Sequence, residues 1–182
     1  MQFTPTEISD VIINTPKIFR DSRGEFLETF RSEEFAFAGI NLEFVQDNHA
    51  GSNMGVLRGL HYQIQQAQGK LIRVVTGEIF DVAVDLRRGS STFGQSVGLR
   101  LSDQDKKQLW IPPGFAHGYY VLSDWAEVSY KVTAYYTPEW ERTLLWNDPV
   151  LQINWPLVSP DHPLLSKNDR LGLPLNKAEV YE

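Results

Sequence analysis

The chain has 182 residues, 42% hydrophobic and 22% charged, with a formal net charge of -6. That length fits one domain with a proper core, and the acidic balance gives no general reason to expect nucleic acid or a membrane surface as partner. The absence of cysteine excludes disulfides, thiolate catalysis and Cys-based zinc sites. No apolar run is long enough to span a bilayer, and Met1 to Asp10 carries no basic segment followed by an apolar one. The expectation is a cytoplasmic protein.

In chain order, Asp21-Ser-Arg-Gly24 reads as a turn, with Arg23 and Glu28 as charges on an edge strand. Ser32 to Ala38 is the best short helix, with Ser32 as its cap and Glu33 and Glu34 in its first turn. Almost everything else alternates. Residues 43–48, 70–75, 78–86, 96–101 and 127–135 read as strands, separated by turn signals such as Thr76-Gly77, Ser102-Asp103 and Pro112-Pro-Gly114. Many short strands at close spacing predict an all-β sandwich or barrel. After Trp146 the chain turns irregular, with Asn147-Asp-Pro149, Trp155-Pro156, Ser159-Pro160, His162-Pro163 and Leu173-Pro174. Its Trp, Ile and Leu residues predict a tail that packs on the sandwich.

The stretch Arg58-Gly-Leu-His-Tyr-Gln63 places an arginine, a histidine and a glutamine in an apolar strand, where polar groups are costly without a use. Side chains alternate faces, so Gln46 and Asn48 point one way together, as do His61 and Gln63. Arg58 and His61 have opposite parity and share a site only if the strand bulges, with Gly59 the place for it. In 78–86 the set Phe80, Val82, Val84 and Leu86 is apolar, and the opposite set holds Asp81 and Asp85. Tyr130 and Tyr136 share a parity, roughly 20 Å apart along a strand, and suit opposite ends of one long ligand.

His61 admits three readings. As a metal ligand it is poorly supported. Pro112-Pro-Gly-Phe-Ala-His117 resembles the second half of a cupin signature, but the first half reads His61-Tyr62-Gln63 and lacks its second imidazole. As a base it offers an imidazole, a group whose reference pKa of about 6.5 suits proton transfer near neutrality, and it needs a carboxylate to hold its tautomer. Asp169 and Asp81 are the candidates, and the sequence does not choose between them. As a core residue it would donate to a backbone carbonyl. Arg58, Gln63 and Lys70 nearby favour function, with Lys70 a cation placed where negative charge develops. Alone, Lys70 is a strand-end lysine reaching water, and either tyrosine an ordinary strand residue.

Together these residues are specific. The sequence resembles the dTDP-4-dehydrorhamnose 3,5-epimerase family of the cupin superfamily over nearly its whole length. The matching pieces include Asp21-Ser-Arg-Gly-Glu-Phe-Leu-Glu28, Phe44-Val-Gln-Asp-Asn-His49, Gly55-Val-Leu-Arg-Gly-Leu-His-Tyr-Gln63 and Gln68-Gly-Lys-Leu-Ile-Arg-Val74. They continue through Phe80-Asp-Val-Ala-Val-Asp-Leu-Arg87, Gln108 to Gly118, Tyr136-Thr-Pro-Glu139 and Trp146-Asn-Asp-Pro149. The resemblance implies a jelly-roll β-sandwich, a homodimer that exchanges an N-terminal strand, and no metal or other cofactor. It implies a dTDP-4-keto-6-deoxy sugar as substrate, epimerised at C3 and C5 through an enolate. It implies His61 as proton acceptor, Asp169 as its carboxylate, Tyr130 as proton donor and Lys70 at the enolate. Tyr136 would stack on thymine, and Arg23, Glu28, Gln46, Asn48, Arg58, His117 and Glu141 would contact the ligand, the first two from a neighbouring subunit.

The chain departs from the family pattern in three places. Ala50 stands where Ser is usual, Gln95-Ser96 follows Phe93-Gly94 without the common Trp, and Asn168 stands where Lys is usual, with Lys167 next to it. Relatives that epimerise one carbon, ketoisomerases and a non-catalytic sugar-binding cupin are the alternatives. Binding alone needs neither a base nor an acid, which argues against the last.

Overall fold

A computed structural model describes residues 1–158 and 163–182. Ser159, Pro160 and His162, among the tail's turn signals, lie outside the described residues. Two antiparallel sheets face each other in a jelly-roll sandwich. In chain order the strands are β1 (Gln2–Pro5), β2 (Ile12–Thr15), β3 (Ile18–Asp21), β4 (Gly24–Leu27), β5 (Gln46–Asn53), β6 (Leu57–Gln63) and β7 (Lys70–Thr76). They continue with β8 (Glu78–Asp85), β9 (Ser96–Ser102), β10 (Gln108–Ile111), β11 (Phe115–Val121), β12 (Trp125–Val132) and β13 (Glu141–Thr143). The first sheet runs β1-β2-β10-β7-β12-β5 and the second β13-β6-β11-β8-β9. β3 and β4 form a separate hairpin.

The helix α1 spans Ser32–Phe37, with Glu33 and Glu34 in its first turn as expected. Ser32 does not cap it. Arg31 occupies the cap position with no side-chain bond, and the helix is held by Phe35, which is buried among Phe3, Phe30, Phe44 and Trp110.

Register shows which face of each strand looks inward. In the first sheet Ala126, Val128, Tyr130 and Val132 of β12 pair with Ser52, Ala50, Asn48 and Gln46 of β5. On its other side β12 pairs Val128, Tyr130 and Val132 with Val74, Ile72 and Lys70 of β7. In the second sheet Ile79, Asp81, Ala83 and Asp85 of β8 pair with Val121, Tyr119, His117 and Phe115 of β11. These two sets face each other. Ile72, Val74, Ile79, Ala83, Val121, Ala126 and Val128 make the main apolar core.

The apolar set Phe80, Val82, Val84 and Leu86 therefore points outward from the second sheet. It is buried all the same, because the irregular tail lies over it: Leu151, Ile153, Trp155, Val180 and Tyr181 pack against Val82, Val84, Leu86 and Tyr62. Burying one such aliphatic side chain stabilises the fold by about 1.5–3 kcal/mol. The second sheet is thus covered on both faces, which leaves its inner face free to carry polar groups at one end.

Candidate active site

β6 holds the bulge that its sequence demands. His117 lies opposite His61 while Tyr119 lies opposite Arg58, so β6 carries one residue more than β11 across this interval. Gly59 has φ 133, and a Cβ there would come within 2.4 Å of Gly118 Cα. Only glycine fits such a close approach of two backbones. The bulge turns Arg58 and His61 to the same inner face, with His117 and Tyr119.

The two carboxylate candidates divide between the two histidines. His61 Nε2 donates to Asp169 Oδ1 at 2.5 Å. Asp81 instead accepts from His117 Nε2, at 2.9 and 3.1 Å. Asp169 comes from the tail, at the start of a 3-10 turn, and is almost wholly buried. It also accepts from the backbone N–H groups of Gly59 at 3.4 Å and Ser166 at 3.2 Å. Burial alone would raise its pKa, but the His61 and Ser166 bonds outweigh this and hold the carboxyl below its ordinary range. An ionised Asp169 can only accept, so it fixes the proton on His61 Nε2 and leaves Nδ1 with a lone pair. The His61 side chain is 34% exposed, whereas that of His117 is 7% exposed and that of Asp81 not at all. Burial pulls the His117 pKa down despite Asp81, which keeps its ring neutral.

Lys70 points inward from β7 and is buried. Its ammonium donates to the His61 carbonyl at 3.2 Å. Burial draws its pKa down to about 8, opposed by Asp81 and Glu141. It is mostly charged at neutral pH and readily gives up or takes a proton nearby. Tyr130 lies in the same sheet as Lys70, on the neighbouring strand β12, and faces the sheet that carries His61. Burial raises its pKa, the Arg58 cation works against that, and Glu141 adds to it.

Around these stand the remaining residues. Gln46 Nε2 donates to Asn48 Oδ1 at 2.8 Å, as their shared parity predicts. Gln46 Oε1 accepts from Tyr136 N at 3.1 Å, and Tyr136 Oη donates to Glu141 Oε2 at 2.9 Å. β12 ends at Val132, so Tyr136 does not continue the parity of Tyr130 along a strand. It sits half-exposed in the following loop and reaches the same site from there. Gln63 is not free for a ligand: it accepts from Thr137 N at 2.7 Å and donates to the carbonyls of Gln66 and Tyr135.

Arg23 and Glu28 are not brought to this group within the chain. Arg23 bonds Asp21 at 2.6 Å at the tip of the β3–β4 hairpin, and Glu28 bonds Arg31 at 2.8 Å. Among the described residues no group of three or more His, Cys, Asp or Glu side chains is placed to hold a metal ion. Among the described residues no helix is long and apolar enough to cross a membrane. Sequence reasoning missed Ser52 and Tyr119, which the bulge places beside Arg58. The Gly59 bulge and strand parity were the signal that could have found them.

The sequence matches the family described as dTDP-4-dehydrorhamnose 3,5-epimerase over residues 5–177. The chain belongs to that family. It is 56% identical over 182 residues to the dTDP-4-dehydrorhamnose 3,5-epimerase of Pseudomonas aeruginosa, covering 100% of this chain and 99% of the relative. Its fold is similar, with TM-score 0.94 and 50% identity, to the dTDP-6-deoxy-D-glucose-3,5-epimerase of Legionella pneumophila in complex with dTDP-4-keto-L-rhamnose. That match covers 98% of this chain and 94% of the other. A 3'-monoepimerase from Streptomyces bikiniensis, in complex with dTDP-quinovose, is 34% identical with TM-score 0.88, covering 96% and 88% of the two chains. The chain is an isomerase of the epimerase type on a cupin-like scaffold.

Proposed function

We propose that this chain epimerises dTDP-4-dehydro-6-deoxy-D-glucose at C3 and C5, giving dTDP-4-dehydro-L-rhamnose in deoxysugar biosynthesis. The observation that carries the proposal is the placement of two proton-transfer groups on opposing walls. His61, held by Asp169, projects from the second sheet, and Tyr130 projects from the first into the same interior. Inverting a carbon requires removing a proton on one face and returning one on the other.

In the 4-keto sugar both C3 and C5 adjoin the ketone, so loss of either proton gives an enolate with its charge on the C4 oxygen. His61 Nδ1 takes the proton, and Asp169 offsets the imidazolium charge. Lys70 stands where the oxyanion forms, in a buried setting where a cation acts most strongly. Tyr130 returns a proton from the opposite face. Each inversion leaves His61 with one proton more and Tyr130 with one fewer, and exchange with solvent resets both before the second carbon reacts. Arg58 takes the diphosphate as a guanidinium fork, while Tyr136, Gln46, Asn48 and Glu141 hold the nucleotide and sugar, and His117 bounds the sugar end. None of these steps calls on a metal or another cofactor.

We further propose a homodimer in which the β3–β4 hairpin of one protomer reaches the site of the other. Arg23 and Glu28 would then complete the ligand shell that this chain alone leaves open. Phe19 and Phe26 of the hairpin are 51% and 69% exposed, an apolar surface suited to cover by a partner. Light scattering tests this: a monomer mass with full activity would overturn it. The monoepimerase relative makes single-carbon inversion the one rival reading. Counting solvent deuterium incorporated at C3 and at C5 separates the two.

A further inference from the structure

Arg58 is held unlike most arginines of the chain. Others pair with a carboxylate, as Arg87 does with Asp85 and Arg100 with Glu78. Arg58 makes no such pair among the described residues. Two of its donors are fixed on neutral oxygens instead: Nε donates to Ser52 Oγ at 2.9 Å and Nη2 to Gly51 O at 3.3 Å. Neutral acceptors orient a guanidinium without cancelling its charge, so its full charge and its remaining donors stay available to an anion.

Ser52 reaches Arg58 from the opposite sheet. It pairs with Ala126 on the inner face of β5 and is 4% exposed. Tyr119 lies directly across from Arg58 on β11. Its hydroxyl is buried, stands beside Ser52, and has no hydrogen-bond partner among the described residues. Ser52 Oγ already accepts from Arg58, so its own O–H is free to be donated, and the Tyr119 oxygen is the acceptor next to it. A Ser52 hydroxyl directed toward Tyr119 would join the three side chains in one polar cluster.

We infer that Ser52 and Tyr119 are positioning residues that brace Arg58 across the two sheets and aim its free donors at the diphosphate of the nucleotide sugar. This rests on the nucleotide-sugar reading above, and extends it to two side chains that need not touch the ligand. A buried serine and tyrosine could instead serve the fold alone, and the two roles differ in one respect. A brace acts through Arg58 and has no effect on binding once Arg58 is gone.

The test is calorimetric titration of dTDP into the full-length protein. Wild type is compared with Ser52→Ala, Ser52→Thr, Tyr119→Phe, Arg58→Ala and the Ser52→Ala/Arg58→Ala double variant. Ser52→Ala is expected to weaken dTDP about tenfold, and Tyr119→Phe about threefold. KM for the keto sugar should rise in parallel while kcat stays within about twofold. Ser52→Thr, which keeps the hydroxyl, should bind like wild type. In the Arg58→Ala background Ser52→Ala should add nothing. Wild-type affinity in Ser52→Ala would overturn the inference, and so would an unchanged Ser52→Ala loss without Arg58. Arg58→Ala binding dTDP as wild type does, with C3 and C5 exchange intact, would overturn the brace and leave the epimerase reading standing. A wild-type protein that neither binds dTDP nor exchanges would overturn both.

Discussion

The site contains two histidine–carboxylate pairs, and their surroundings differ. His61 and Asp169 meet at 2.5 Å, His117 and Asp81 at 2.9 Å. The first pair joins a strand to the C-terminal tail and leaves the imidazole one-third open. The second lies wholly inside one sheet, on adjacent strands, and its imidazole is kept neutral by burial. A base must meet a substrate proton and then carry charge. Only the first pair has both the access and the surroundings for that. The second pair sits next to Lys70 and supports its charge through Asp81. Pair geometry alone therefore does not identify a base; exposure decides.

The largest expected effect separates the two histidines. His61→Asn should lower turnover by about 100- to 10,000-fold, the usual worth of general acid–base catalysis, with dTDP binding kept. His117→Asn should lower it far less, and steady-state kinetics on both variants would read the difference. Equal losses would end the distinction. Next come the carboxylates. Asp169→Asn should cost about a hundredfold in kcat by removing the ion that fixes the His61 tautomer. Asp81→Asn should instead appear in stability, lowering it by about 1.5–3 kcal/mol in chemical denaturation, because a buried bond to a charged group is weakened.

A smaller and more telling effect is in pH. Lys70 loses its proton as pH rises through about 8, so the rate should fall on that alkaline side. Asp81 raises the Lys70 pKa, so Asp81→Asn should move this fall to lower pH. A pH–rate profile with an unmoved alkaline limb would detach Lys70 from Asp81. The smallest effect is at the surface. Arg100→Ala breaks an exposed pair with Glu78 and should change stability by less than about 1 kcal/mol.

Strands whose residues alternate in chemistry were legible in the sequence, even where both faces are buried as in β8, with Asp81 and Asp85 on one face and Val82 and Val84 on the other; strands without such alternation were not. Alternation locates β7, β8 and β9 nearly to the residue, and Gln46 with Asn48 on one face. β11 reads Phe-Ala-His-Gly-Tyr-Tyr-Val and is buried throughout, because the tail covers the back of its sheet. Unlike β8, it carries no charged residues at alternate positions to mark one face. β10 fails for a related reason: Leu109 enters the main core while Trp110 enters the aromatic cluster around α1. At the site, the bulge at Gly59 was legible because glycine in a strand has few other uses. The choice of Asp169 over Asp81 was not, since it depends on how a tail more than 100 residues away folds back over β6. Tyr136 was misjudged as a strand residue because its aromatic neighbours extend the pattern of β12 past the point where the hydrogen bonds stop.

The most direct test of proton transfer between opposing walls is solvent deuterium exchange. The protein is incubated with dTDP-4-dehydro-6-deoxy-D-glucose in heavy water, and C3 and C5 are followed by NMR. Deuterium at both carbons, abolished in His61→Asn, with inversion lost in Tyr130→Phe, is the expected result. Deuterium at one carbon alone would make the chain a monoepimerase. Exchange at neither carbon, with the sugar nucleotide bound, would contradict the enolate mechanism.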